Sequence, residues 1–140
     1  MAEDVKAAGA ICYLQDGKKT FFLILRSAKT GEWGPPKGHS EEEETELETA
    51  VRELYEEAGV RRASFTPGFR EILKYTVEKK GKTREKEVAL YLCKLDNDDV
   101  RISEEHTEVH FASLDEIEVL VPHEDLREVF RRAAEFIKKV

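Results

Sequence analysis

Apolar and polar positions alternate along the chain in strand-like and helix-like blocks. Val5–Leu14 is apolar, rich in Ala and Gly, and stops at Gln15-Asp16-Gly17, a turn signal of the kind that joins two strands. Phe21–Leu25 then reads as a buried strand with Arg26 at its exit. Leu47, Val51, Leu54 and Ala58 recur at helical spacing, which predicts an amphipathic helix with that stripe toward a core. Thr45 with Glu48 three residues on forms a capping box at its start, and Gly59 is placed for the left-handed residue at its end. Phe65–Val77 and Glu87–Leu95 read as two strands joined by a charged hairpin, 78–84, with Gly81 at its tip. Asp96–Asp99 is a turn, Val109–Ala112 a short strand, and a last helix starts at about His123, with Leu126, Val129, Phe130, Ala133 and Ile137 on one face. Strands, helix, strands and helix give an α/β (α+β) chain, with a mixed central sheet in an α/β/α sandwich. With 140 residues, 40% of them hydrophobic, one domain spanning 1–140 has enough apolar material for a core.

The net charge of −7 changes the picture once it is located. Residues 38–60 hold nine acids against one Arg, a net −8, so the remainder of the chain nets +1. The acidity is therefore local, and no extended basic surface is implied that would follow a nucleic acid. A small polyphosphate fits better. The two cysteines, Cys12 and Cys93, sit in apolar runs without metal-ligand spacing and read as buried free thiols of a reducing compartment. There is no signal peptide and no apolar run long enough for a bilayer, so a soluble cytoplasmic protein is expected, and a monomer.

On the predicted helix, Glu53, Glu56 and Glu57 stand at i, i+3 and i+4 and share one patch of surface. Each like-charged pair destabilises a helix by roughly 0.2–0.5 kcal/mol. A hard divalent cation removes that repulsion, and Mg²⁺, with Mn²⁺ as a substitute, takes carboxylate oxygens together with water and phosphate oxygens. Arg52 is four residues from both Glu48 and Glu56 and can hold one of them in a fixed rotamer. Gly34-Pro35-Pro36-Lys37-Gly38 is a stiff turn that delivers Lys37 and the Gly38 carbonyl beside the carboxylates. Solvated surface accounts well enough for Glu41, Glu42, Glu43 and Glu46.

The pattern Gly38, Glu44, Arg52-Glu53-Leu54, Glu56-Glu57, Gly59-Val60, with five, seven, one and one residues between the groups, resembles the complete Nudix box. Within the Nudix families, Trp33-Gly34-Pro35-Pro36-Lys37-Gly38-His39 and the later Ser103-Glu104-Glu105-His106 are similar to the asymmetrical diadenosine tetraphosphate hydrolases. That resemblance implies the Nudix fold and metal binding by Gly38 (through its carbonyl), Glu53, Glu56 and Glu57. Glu105 matches the family's downstream acid, Lys37 a phosphate contact and Tyr75 a residue that stacks on adenine. Two positions depart from the pattern. Glu42-Glu43 replaces the Pro-Gly common ahead of Glu44, and His123 falls where the second stacking aromatic is expected.

The chemistry so implied is Mg²⁺-assisted attack of water on phosphorus in diadenosine tetraphosphate, releasing ATP and AMP. Glu57 or Glu105 accepts the proton, Arg52 and Glu53 complete the catalytic set, and Lys37 with Arg26 or a hairpin lysine such as Lys82 offsets developing charge. Arg26 reads equally well as a surface residue at a strand exit, and Lys79, Lys80, Lys82 and Arg84 as a solvated turn that protects an edge. Trp33 reads as a packing anchor. Tyr75 and Tyr91 each suit stacking or core filling, with stacking favoured at Tyr75. Alternatives in the same chemistry are a nucleoside triphosphate, a diphosphoinositol or a 5′-phosphorylated RNA as substrate. In a different class lies a non-catalytic nucleotide sensor, against which the full set Arg52, Glu53, Glu56 and Glu57 speaks.

Overall fold

A computed structural model describes residues 5–140, except the side chains of Val5 and Lys79. In chain order the elements are β1 (Val5–Asp16), β2 (Lys19–Ser27), β3 (Trp33–Gly34), β4 (Lys37–His39), α1 (Glu46–Ala58), β5 (Ser64–Lys79), β6 (Lys82–Lys94), β7 (His106–Ala112), α2 (Leu114–Leu120) and α3 (Glu124–Lys139). β1 and β2 leave the Gly17 turn as an antiparallel pair, Asp16 opposite Lys19 and Tyr13 opposite Phe22, and then part like the tines of a fork. The segment 33–39 threads the gap. β3 pairs with β2 (Leu25 opposite Gly34) and β4 with β1 (Ala8 opposite Gly38). The expected stiff turn at 34–38 is therefore two short strands around the buried pair Pro35-Pro36. The physical reason is that the diverging edges leave backbone groups that need partners, while proline, lacking an N–H, suits the crossing point. There the Pro36 carbonyl accepts the Ala10 N–H at 3.0 Å.

β6 runs parallel to β1, Val5 opposite Lys86 through Tyr13 opposite Lys94, and β5 is antiparallel to β6, so the seven-stranded sheet is mixed as expected. The β5–β6 connection is shorter than the predicted 78–84 hairpin. Lys80 (φ 54°) and Gly81 (φ 74°) alone make the turn, with both residues in the left-handed region that matches the twist of the flanking strands. Pairing consequently runs to Lys79 opposite Lys82.

α1 covers one face of the sheet, and α2 and α3 the other. The larger core lies under α3, where Leu126, Val129, Phe130 and Ala133 meet Ile11, Phe22, Val88 and Leu90. Phe22 and Phe130 meet edge to face, 5.4 Å between centroids. On the α1 side, Leu54 and Ala58 pack on Ala10, Leu23, Leu25, Cys12 and Cys93, and both cysteines are buried free thiols. α2 was not expected. Ser113 caps it in a second capping box with Glu116, and Ile117 is its buried anchor. Among the described residues no helix is long and apolar enough to cross a membrane.

Candidate active site

α1 begins where Thr45 Oγ1 accepts the Glu48 N–H (3.1 Å) and Glu48 Oε1 accepts the Thr45 N–H (3.0 Å), and it ends at Gly59 with φ 70°. Both ends lie where the capping residues place them. The buried face is different from the predicted one. Thr49, Ala50, Glu53, Leu54, Glu57 and Ala58 turn inward, while Leu47 and Val51 stay 43% and 46% exposed. Opposite the first turns of α1 the sheet presents the small residues Ala8, Ala89 and Gly38, against which Ala50 and the Glu53 carboxylate settle. The three acids expected on one open patch are thereby divided. Glu53 and Glu57 are buried, and Glu56 is exposed.

Arg52 organises the exposed side of this cluster. Its Nε and Nη2 donate to the two Glu44 oxygens at 2.8 and 3.0 Å, Nη1 donates to Glu53 (3.1 Å) and Glu56 (3.0 Å), and Nη2 also reaches the His39 carbonyl at 2.9 Å. The predicted contact to Glu56 forms. The alternative contact to Glu48 does not, because that side chain is spent on the helix cap. Glu44 accepts further bonds from the Glu41 N–H (3.0 Å) and Thr49 Oγ1 (2.7 Å), and Arg52 first, then these two, pull its carboxyl down to about 2.

The loop ahead of β7 closes the buried side. It is stitched to the end of α1 by the Arg101 N–H on the Ala58 carbonyl (2.9 Å) and the Ser103 N–H on the Glu57 carbonyl (3.3 Å). Ser103 Oγ donates to Glu57 Oε2 at 3.1 Å and accepts the Glu105 N–H at 3.3 Å. His106 Nδ1 lies 3.2 Å from Glu57 Oε2, but without hydrogen-bond alignment, and it is buried with no hydrogen-bond partner among the described residues. Burial, followed by the Glu105 charge, raises the Glu57 carboxyl to about 7, while Ser103 draws it the other way. Burial also raises Glu53, against Arg52 and with Glu56 and Glu105 adding repulsion. Glu53, Glu57 and Glu105 thus sense one another's charge. Beneath them Gly38 has no room for a side chain, since a Cβ there would overlap the Glu53 carboxylate.

This donor set fits a hard divalent cation. Among the described residues no three His, Cys, Asp or Glu side chains already form a closed metal cage. Mg²⁺ does not require one, since it binds through one or two carboxylates and completes its shell with water and phosphate. Carboxylates raised first by burial and then by one another's charge are groups that a cation relaxes back to the ionised form.

The remaining predicted residues lie on other elements, each with partners of its own. Lys37, on β4 next to Gly38, lies close enough to depress the imidazoles of His39 and His106, each of which is lowered first by burial. Arg26 donates to Glu108 Oε2 (2.7 Å) and to the Gly31 carbonyl (3.0 Å), so it braces β2 against β7. Tyr75 lies on β5 opposite Lys86, whose ammonium sits 5.6 Å from the ring centroid. Lys82 is exposed at the hairpin tip, and the Lys79 side chain lies outside the described residues. His123 is the N-cap residue of α3, with Nε2 3.0 Å from Glu32 Oε2. Trp33 packs against the α3-side core, edge to face with His110, which agrees with a packing anchor. Tyr91 fills the α1-side core beside Ala8, Ala50 and Ala89. Sequence reasoning gave no role to Thr49 and no partner to Glu44, which meet each other and, through Glu44, reach Arg52.

The NUDIX domain family matches residues 5–137. The asymmetrical bis(5′-nucleosyl)-tetraphosphatase of Caenorhabditis elegans is 33% identical over 135 residues, covering 95% of this chain and 96% of its own. That of Sus scrofa is 36% identical over 121 residues, covering 84% and 80%. The crystal structure of a C. elegans Ap4A hydrolase binary complex superposes with a TM-score of 0.88 over 97% of this chain and 99% of that one, at 33% identity. With the box residues gathered on α1 and a family match across the sheet and all three helices, the chain belongs to the NUDIX family.

Proposed function

We propose that the protein hydrolyses diadenosine tetraphosphate to ATP and AMP, as a single-domain monomeric Nudix enzyme of the cytoplasm that uses Mg²⁺, with Mn²⁺ as a substitute. The observation that carries this reading is the pair of buried acids, Glu53 and Glu57, set beside Glu105 over Gly38. Its support is the full-length similarity to relatives named for that activity.

Glu53, Glu56, Glu57 and Glu105, with the Gly38 carbonyl, hold the cation, and Arg52 keeps Glu53 and Glu56 in place. The cation supplies Lewis-acid polarisation of the phosphoryl oxygens. A water oxygen bonds to phosphorus away from the midpoint of the tetraphosphate as the anhydride bond to the leaving phosphate breaks. Glu57 or Glu105 takes the water's proton. Lys37, on the strand that also carries Gly38, with Arg26 or Lys82, offsets charge on the bridging and terminal oxygens. Tyr75 stacks on one adenine and His123 on the other.

The test is chromatographic product analysis in Mg²⁺ across diadenosine polyphosphates, nucleoside triphosphates, sugar nucleotides, diphosphoinositols and 5′-triphosphate RNA. Diadenosine tetraphosphate is expected to turn over fastest into ATP and AMP, with Glu57→Gln slower by about 100-fold or more. Preference for another substrate would replace the substrate assignment. Near-normal turnover by Glu57→Gln would remove the mechanism.

A further inference from the structure

Among the described residues Ser103 is the one hydrogen-bond donor to the Glu57 carboxylate, and it touches Glu105 through the same oxygen. A serine hydroxyl carries one proton and two lone pairs. The Glu105 N–H, at 3.3 Å, occupies a lone pair, and the proton is committed to Glu57 Oε2 at 3.1 Å. His106 approaches the same oxygen at 3.2 Å but is not aligned to bond, so it does not substitute for the serine.

The backbone of Ser103 is fixed as firmly as its side chain. Its N–H donates to the Glu57 carbonyl (3.3 Å), and its own carbonyl accepts the His106 N–H (3.1 Å). One residue beyond Glu104, the Glu105 carbonyl is held by the Ala28 N–H at 2.8 Å. Ser103 therefore sits on a loop with little freedom, between the last turn of α1 and the start of β7, and its hydroxyl fixes one acid by its side chain and the other by its main chain.

We propose that Ser103 is a positioning residue for Glu57, tying down Oε2 so that Oε1 is the oxygen presented to a divalent cation, and setting Glu105 at a fixed distance from it. This rests on the reading of Glu57 as a cation ligand given above. Groups that orient ligating carboxylates in this way typically change metal affinity or activity by about 10- to 100-fold when removed. Alanine at 103 frees the Glu57 carboxylate to rotate, whereas threonine keeps the hydroxyl.

The experiment measures Mn²⁺ binding to the substrate-free protein by electron paramagnetic resonance, and then kcat and KM at saturating Mg²⁺, for wild type, Ser103→Ala and Ser103→Thr. Circular dichroism serves as the check on folding. Ser103→Ala is expected to bind Mn²⁺ about 10-fold more weakly and to lose about 10-fold in kcat with KM nearly unchanged, while Ser103→Thr recovers most of both. Unchanged Mn²⁺ affinity and kcat in Ser103→Ala would overturn the proposal. Equal losses in the alanine and threonine variants would overturn it as well, by assigning the effect to packing of the loop. Because the Mn²⁺ measurement needs no substrate, it stands apart from the choice of diadenosine tetraphosphate.

Discussion

Gly38 and Glu53 occupy one space: the Glu53 carboxylate lies where a side chain at residue 38 would begin. Gly38→Ala is therefore expected to push Glu53 off its seat, weaken Mn²⁺ binding and lower turnover, with overpacking that costs about 1–3 kcal/mol of stability. Mn²⁺ titration and thermal denaturation of the variant check this. Wild-type affinity in Gly38→Ala would show that Glu53 does not need its present position.

Arg52 acts as a fork between Glu44, Glu53, Glu56 and the His39 carbonyl. Lysine retains the charge but not the planar set of donors. Arg52→Lys is expected to lower kcat by about 10- to 100-fold without unfolding the chain. Glu44→Gln leaves the same guanidinium poorly anchored, so the double variant should lose less than the two single losses combined. Strict additivity of the two effects on kcat would separate Glu44 from the site.

Glu57 gives the metal-free protein a pH dependence. Its carboxyl stands at about 7 when folded against an ordinary value of 4.5, raised chiefly by burial and by Glu105. Below 4.5 the group is protonated in both states and costs nothing. As pH rises from there the unfolded chain ionises first, so stability falls until the folded group ionises near 7. Saturating Mg²⁺ favours the ionised form and should flatten that decline. Melting curves from about pH 4 to about pH 8, in chelator and in Mg²⁺, read this out. Identical slopes in the two series would sever the link between Glu57 and the cation.

The roll of α1 is testable through leucines alone. Leu54 is 1% exposed and Leu47 is 43% exposed, although both belong to the stripe that periodicity assigns to the core. Leu54→Ala should cost about 2–5 kcal/mol, and Leu47→Ala no more than about 0.5 kcal/mol. Equal losses in urea denaturation would restore the predicted stripe.

What the sequence made legible was local. Thr45, Glu48 and Gly59 bounded α1 correctly because capping is settled within four residues, and the mixed sheet followed from strand blocks and their turns. Ser113 and Glu116 carry the same capping signature ahead of α2, a signal present but unread, because the helix is only seven residues long. The orientation of α1 was not legible. It depends on Ala8, Ala89 and Gly38, which reach it from three strands, and apolar spacing alone favours Leu47 over Glu53. The same holds for Arg52, whose principal partner Glu44 is eight residues away and ahead of the helix. It holds for Ser103 too, which meets Glu57 across 46 residues of chain.

The fork between β1 and β2 has a consequence for how this site can change over generations. The threaded segment 33–39 is held chiefly through its main chain: β3 and β4 by strand pairing, Pro36 by the Ala10 N–H, and the His39 carbonyl by Arg52. The side chains of Lys37 and His39 are thereby released from holding the scaffold together. Substitutions at these two positions leave the segment where the fork puts it, whereas Gly38 between them is tied to Glu53 and cannot drift.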